Sequence, residues 1–305
     1  MKERRSRPNL ASVGPLIRYP DRMRRVCFFH AGCPDGLGAA WAVRQAWGSS
    51  CEYRARGHEE VIDTNELDGV QVVYVDFAPS NDEVIELAET AAQVVILDHH
   101  VSSRDRIQAD PAIDNAIEGR GHYLHFDLEY SGAVLAWNYF SPDESVPDLL
   151  QYVQDQDLWS WKLPNSHEVN AAIGSYPLDF DTWDALARTP AEELARQGEP
   201  IVRSNRTEIQ RALHGAACVW IEGQRVEAVN ATTNRSSIGH ELAKRAAYGP
   251  AWGCVYRVTG DRVTATLYSI GDVDVSQPAS RFDGGGHRNA AGFSVPLRDW
   301  LGMLN

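Results

Sequence analysis

The sequence predicts an α/β fold: an N-terminal domain on a parallel sheet, a helical linker and a smaller C-terminal α/β domain. Three observations predict it. Short β-branched runs alternate with helix-period segments through the first half of the 305 residues. Those runs are nearly continuous in apolar residues, as strands covered on both faces are. From about residue 216 the pattern changes to paired strands joined by glycine turns.

In order, RVCFFH (25–30) reads as a first strand and LGAAWAVRQAW (37–47) as a helix. CEYRARG (51–57) and VQVVYVDF (70–77) read as the next two strands. NDEVIELAETAA (81–92) is a helix, with Pro79-Ser80 supplying its stop and cap. QVVILDHH (93–100) is a fourth strand and HYLHFD (122–127) a fifth. Helices follow at 131–140 and 146–159. Residues 180–215 are helical except at their prolines and read as a connecting segment. Beyond them lie a hairpin turning at Glu222-Gly223-Gln224, a helix at 236–247, and a hairpin turning at Thr259-Gly260-Asp261. A glycine-rich loop, DGGGHRNAAGF, comes last. The boundaries expected are a basic arm over 1–24, a first domain over 25–178, a linker over 179–215 and a second domain over 216–305.

Charge narrows the partners. The net charge is −13, and residues 1–25 contribute +6, leaving −19 for the rest. So acidic a body repels long polyanions and lacks the basic stripe of a duplex binder. A short nucleotide remains open to it, provided bound cations reverse the local field. The arm reads as a disordered, solvated segment. Five cysteines, odd in number and without a C-x-x-C pair, argue for a reducing compartment rather than a disulfide framework. With no apolar run long enough for a membrane span, the expectation is a soluble cytoplasmic protein without membrane contact.

Ligands of open parallel sheets bind beyond the carboxyl ends of the strands. Three predicted strands end in metal-binding residue types: His30, then Asp76, then Asp98-His99-His100, with Asp35 just past the first. Each alone reads as a cap or a core histidine. Together they form an edge too acidic to persist cheaply without cations. The helix at 146–159 adds Asp155 and Asp157, which point to different sides, and Asp155 is the expected ligand. Mixed carboxylate and imidazole donors suit Mn²⁺ better than Mg²⁺ or Ca²⁺, although Mg²⁺ remains an alternative. In Gly284-Gly285-Gly286-His287 the glycines let backbone run against a ligand and offer N–H groups to an anion.

With FHAGCPDG, VVYVDF, VVILDHH, YVQDQDLW and DGGGHRNAAGF in this order, the chain resembles the DHH phosphoesterase superfamily. Its C-terminal part resembles the associated GGGH-bearing domain of nanoRNase/pAp phosphatases and RecJ-type exonucleases. The resemblance runs from about Val26 to Val295 and implies an active-site cleft between the two domains. It also implies a two-metal site, two Mn²⁺ ions, in which Asp76 bridges, His99 and Asp155 hold one ion, and His30 and Asp35 complete the set. His100 and His287 would contact substrate phosphate and act in catalysis, and Gly284, Gly285 and Gly286 would line the nucleotide. The chain departs from the pattern twice. Cys33 stands where the family has the first aspartate of a D-x-D pair, and Thr266-Leu267-Tyr268-Ser269 stands where it often has S-L-R-S.

The reading is a manganese-dependent phosphoesterase for a short nucleotide such as nanoRNA, pAp or a cyclic dinucleotide. The alternatives are a nucleotide-binding protein without catalysis, or a phosphatase for pyrophosphate or another small ester. A homodimer is compatible with either. Cys33 reads as a neighbour of the ligands rather than a nucleophile, the competing reading being a thiolate ligand. Trp159 and Trp161 are placed to stack on a base, with at least one of them serving as packing.

Overall fold

The computed structural model describes residues 23–57, 60 and 62–304. The expected basic arm, apart from its last two residues, lies outside them. The chain divides into two compact units, one holding residues up to 99 with 106–164 and 176–190, the other 100–105, 165–175 and 191 onward.

In chain order the elements begin β1 (Arg25–His30), α1 (Pro34–Trp47), β2 (Cys51–Arg56), β3 (Gln71–Val75), α2 (Asn81–Thr90) and β4 (Gln93–Asp98). They continue with α3 (Val101–Gln108), α4 (Pro111–Ile117), β5 (Tyr123–Phe126), α5 (Gly132–Phe140) and α6 (Asp148–Asp157). The five strands form one sheet in the order β2-β1-β3-β4-β5, parallel throughout. Both faces are covered, which is why the central strands β1, β3 and β4 are almost continuously apolar, whereas the edge strand β2 carries Glu52, Arg54 and Arg56. Val26, Phe28, Tyr74 and Ile96 pack on one face with Leu87 of α2 and Ile113 of α4. On the other, α1 and α5 cover Cys27, Val73 and Val95.

Helix α1 starts three residues earlier than the apolar pattern indicates. Pro34 occupies its first turn, and the Cys33 Sγ caps it by accepting from the Gly36 N–H at 3.2 Å. Two helices that the sequence leaves unassigned, α3 and α4, follow β4. Their faces are polar, and Ile107, Ile113 and Ala116 are their only buried side chains, so no periodic apolar stripe announces them.

Next come α7 (Ser166–Ile173), α8 (Phe180–Leu186) and α9 (Ala191–Leu213). The expected linker divides differently from the 179–215 boundaries. α8 belongs to the first unit, where its Trp183 is fully buried beside Gly38 of α1. α9 belongs to the second, where Gly198 presses so closely on the Glu168 backbone of α7 that no Cβ would fit. α9 also runs through Pro200, an exposed position where only one N–H is forfeited.

The second unit is completed by β6 (Ala217–Ile221), β7 (Gln224–Asn230), α10 (Arg235–Arg245), β8 (Trp252–Thr259) and β9 (Arg262–Ser269). After them come α11 (Ser276–Ser280), β10 (Gly285–His287), β11 (Ala290–Pro296) and α12 (Leu297–Met303). Its sheet has the order β10-β11-β9-β8-β7-β6 and is antiparallel except between β7 and β8. Both hairpins turn where glycine permits a positive φ, at Gly223 and Gly260. One face buries Val263, Ala265, Leu267, Ala291 and Phe293 against Ala279 and Trp300. The other receives α10 through Ile238 and Leu242. The expected glycine loop is in part a strand, since Gly285–His287 pair with β11 at the sheet edge. Among the described residues, no helix is long and apolar enough to cross a membrane.

Candidate metal centre

Beyond the carboxyl ends of β1, β3 and β4, the first unit gathers six side chains into two adjoining groups. His30, Cys33 and Asp76 form one, and Asp35, His99 and Asp157 the other; in each, the three donor atoms lie within 4.8 Å of one another. The groups meet at Asp76. Its Oδ2 is 3.5 Å from both His30 Nδ1 and Cys33 Sγ, and its Oδ1 is 3.1 Å from His99 Nε2. His99 Nε2 also stands 3.6 Å from Asp35 Oδ2 and 3.6 Å from Asp157 Oδ2.

The backbone explains how so many carboxylates converge. Asp76 follows the last residue of β3 with φ 63°, a left-handed conformation that a non-glycine residue adopts only under local compulsion. Its N–H bonds the Leu97 carbonyl of β4 at 3.0 Å. Gly132, the first residue of α5, makes room for it: a Cβ there would lie 2.5 Å from the Asp76 Cβ. Asp35 is anchored from the same helix, whose Gly132 and Ala133 N–H groups donate to its two oxygens at 2.7 and 3.0 Å. Asp35 therefore caps α5 across the chain while facing His99. Asp98 turns its Oδ1 to the His99 N–H at 2.7 Å and so fixes the chain as it leaves the strand.

Electrostatics decide what such a cluster requires. Burial first, and then the charges of Asp76 and Asp157, push the Asp35 carboxyl well above its usual range. For His99, burial opposes the charged ring, but the hydrogen bond to Asp76 and the charges of Asp157 and Asp35 outweigh it, pushing its pKa up to about 10. Burial, then Asp76 and Asp35, also raise the Cys33 thiol, against the pull of the Gly36 N–H. Three carboxylates around one imidazole are poorly compensated, and a divalent cation is the natural complement. The donor set fits that complement: imidazole and carboxylate groups from several chain segments, with Asp35, Asp76 and His99 buried.

The expectation for Asp155 is corrected. Its carboxylate is turned into the loop after α6, accepting the Lys162 N–H at 2.9 Å and the Leu163 N–H at 3.1 Å. Its carbonyl takes the Ser160 and Trp161 N–H groups. Asp155 thus staples the WSW loop to the helix, and Asp157 is the residue that reaches His99. Spacing alone shows only that the two diverge. The loop that consumes Asp155 decides between them, and its four N–H donors have no signature in side-chain pattern. Trp159 and Trp161, both with positive φ, pack edge to face at 5.1 Å.

His100 and His287 fall within the second unit and stack with ring centroids 4.6 Å apart. Gly284 ends a turn whose N–H bonds the Ala279 carbonyl, and Gly285 and Gly286 form β10. Tyr268, at the position where the resemblance expects arginine, lies against Gly239 of α10.

No family model matches the chain. It is 26% identical over 293 residues to an uncharacterized protein of Acanthamoeba polyphaga mimivirus, covering 88% of this chain and 67% of that one. Among solved structures it is similar to an exopolyphosphatase-related protein from Bacteroides fragilis (10% identity, TM-score 0.47, 89% and 86% coverage). It is similar also to the pGpG-specific phosphodiesterase PggH from Vibrio cholerae (12%, 0.45, 91% and 95%). A third is RecJ from Thermus thermophilus in complex with Mn²⁺ (14%, 0.44), of which the match spans 92% of this chain and 50% of that one. In residue type, order and position at the strand ends, the motifs of this chain resemble those of the DHH phosphoesterases.

Proposed function

We propose that the chain is a metal-dependent phosphoesterase that hydrolyses a short nucleotide. One observation carries the reading: two adjoining donor groups share Asp76 at the carboxyl edge of a parallel sheet. Asp76 would bridge two ions, with His99, Asp35 and Asp157 on one side and His30 on the other. Bound there, divalent cations supply Lewis acidity toward phosphoryl oxygens and an acidified water.

The chain's own groups do the rest. Asp76 is held rigidly by its backbone conformation and by contact with Gly132, so its two oxygens are aimed before substrate arrives. The N-terminus of α5 keeps Asp35 oriented through two N–H donors. His100 and His287 would donate to phosphoryl oxygens, and one of them would protonate the leaving oxygen. The mixed nitrogen and oxygen donors favour Mn²⁺ over Mg²⁺ or Ca²⁺. The overall charge of −13 argues for substrates of a few nucleotides, because remote phosphates find no basic track.

The test is hydrolysis by chelated protein reloaded with each ion in turn, against a dinucleotide, pAp, cyclic dinucleotides, pyrophosphate and a longer oligonucleotide. Activity restored best by Mn²⁺ on the shortest nucleotides is expected. Full activity in protein shown metal-free by elemental analysis, or rates that climb with chain length, would overturn the reading.

A further inference from the structure

The face of the second sheet that carries His287 also carries an unneutralised cation. Arg235 opens α10, and its Nη2 donates to Thr266 Oγ1 of β9 at 2.6 Å. Its Nε is buried and finds no acceptor. Among the described residues no carboxylate pairs with it, whereas Lys244 and Arg245 of the same helix pair with Glu241 and Glu227. Thr266 occupies one of five guanidinium N–H groups. Nη1 makes no hydrogen bond among the described residues and is not buried, so it is the donor that an acceptor from outside the chain can reach.

The register shows what Arg235 stands over. Thr266 shares a lateral row with Gly292 and Gly285, and the next row on that face holds Tyr268, Ala290 and His287. Residues paired across strands, and those two apart along them, project from one face. Arg235 and His287 therefore border a floor whose middle strand offers only Ala290 and Gly292, with no side chain larger than a methyl, while Ser102 stands against Gly285. From β9 across β11 to β10 is two strand spacings, about 10 Å. That width holds one phosphoryl group with a hydrogen bond on either side. The bland alternative is that Arg235 only ties α10 to β9 through Thr266. That role would need neither a guanidinium with an accessible, unbonded Nη1 nor a middle strand reduced to Ala290 and Gly292.

We propose that Arg235 binds a phosphoryl group of the substrate on this floor, opposite His287. The proposal rests on the phosphoesterase reading for the identity of the anion and adds a residue that reading does not contain. Arginine suits the task because its planar fork can bind two oxygens of one phosphate at once.

The full chain, stripped of metal by a chelator, is titrated calorimetrically with 5′-AMP, inorganic phosphate and adenosine. Wild-type protein should bind 5′-AMP more tightly than adenosine. R235Q should weaken 5′-AMP binding about tenfold or more and leave adenosine unchanged. R235K should recover part of the loss, and T266V, which removes only the tether, should lose less than R235Q. Thermal melts establish that each variant is folded; should R235Q fail to fold, R235K and T266V carry the test. Wild-type protein that does not prefer 5′-AMP to adenosine overturns the proposal. So does a folded Arg235 variant that binds 5′-AMP normally or loses both ligands equally. Hydrolysis is assayed separately with Mn²⁺. Loss of 5′-AMP affinity in R235Q, in a protein that cleaves no ester, would sink the phosphoesterase reading alone. An active enzyme whose 5′-AMP affinity ignores Arg235 would sink this proposal alone.

Discussion

The two sheets present chemistry in different ways. In the parallel sheet of the first unit, the candidate ligands gather at one edge: His30 ends β1, Asp76 and His99 follow β3 and β4, Asp35 lies in the first turn of α1, and Asp157 ends α6. In the second unit, His287, Tyr268 and the threonine that holds Arg235 lie within paired strands, on one face. The first arrangement concentrates charge, since several strands end at one edge and each contributes a polar residue there. The second spaces its groups by the lattice of the sheet, leaving small residues between them. A crowded acidic edge is suited to cations and a spaced face to an extended anion.

The sharpest way to break this contrast is to remove the carboxylate that joins the two donor groups. Asp76→Ala should lower Mn²⁺-dependent hydrolysis by about three orders of magnitude, the scale of losing a principal electrostatic contact, and should reduce bound metal. Two retained metal equivalents with near-normal rates would show that the strand-end groups do not act as one site. Next in size is the pairing of Asp157 with Asp155. Asp157→Asn should weaken metal binding, read by equilibrium dialysis, with little change in melting temperature. Asp155→Asn should do the reverse, costing about 2 kcal/mol of stability through its two bonds to backbone N–H groups while metal stoichiometry holds. If the two variants exchanged behaviours, the assignment of Asp157 to the cluster would be wrong.

A third test uses pH on chelated protein. The folded pKa of His99, about 10, lies above its ordinary value of 6.5. The stability this proton contributes is thus fully present below about pH 6.5 and is lost as pH rises through about 10. The raised Asp35 acts in the same sense, remaining protonated in the fold after the unfolded chain has ionised. Melting temperature should therefore fall from pH 6.5 toward 10, and Mn²⁺ should raise it more at the alkaline end. A melting temperature that rose with pH in chelator would contradict a cluster of like charges. The smallest effect belongs to Cys33→Ser. Serine preserves the cap on α1, and near-normal activity is expected. Loss of one metal equivalent with activity would instead make the thiol a ligand.

How far the sequence carried differs between the two sheets for the same reason. The parallel sheet is legible because its central strands β1, β3 and β4 are nearly all apolar and give way abruptly to His30, Asp76 and Asp98-His99, which places these residues at the strand ends. The choice between Asp155 and Asp157 is not legible in the sequence, because it depends on backbone donors at Lys162 and Leu163. The hairpins of the second unit showed in their turns at Gly223 and Gly260, but Arg235 did not. An arginine at the start of a helix is ordinary in sequence. Its significance comes from register, with Thr266, Gly292 and Gly285 aligned across three strands, and alignment across strands is written in no single segment.

The lone parallel joint of the second sheet, between β7 and β8, has a consequence for how that unit assembles. β6 with β7, and β8 with β9, are hairpins whose partners are close in sequence. Each can form from local contacts, and early. Joining them side by side in parallel requires the chain to cross over, and α10 is the crossover. That helix seats against β8 so tightly that a Cβ at Gly253 would collide with Leu242. The slow step of this unit should be the docking of α10, with Val229 and Val255 becoming protected only as it settles. Pulse-labelled hydrogen exchange would show hairpin amides protected ahead of those at the β7–β8 joint; simultaneous protection of both would refute a two-stage assembly. On this view Arg235 reaches Thr266 at the end of folding, so the anion-facing surface would be the last part of the unit to become native.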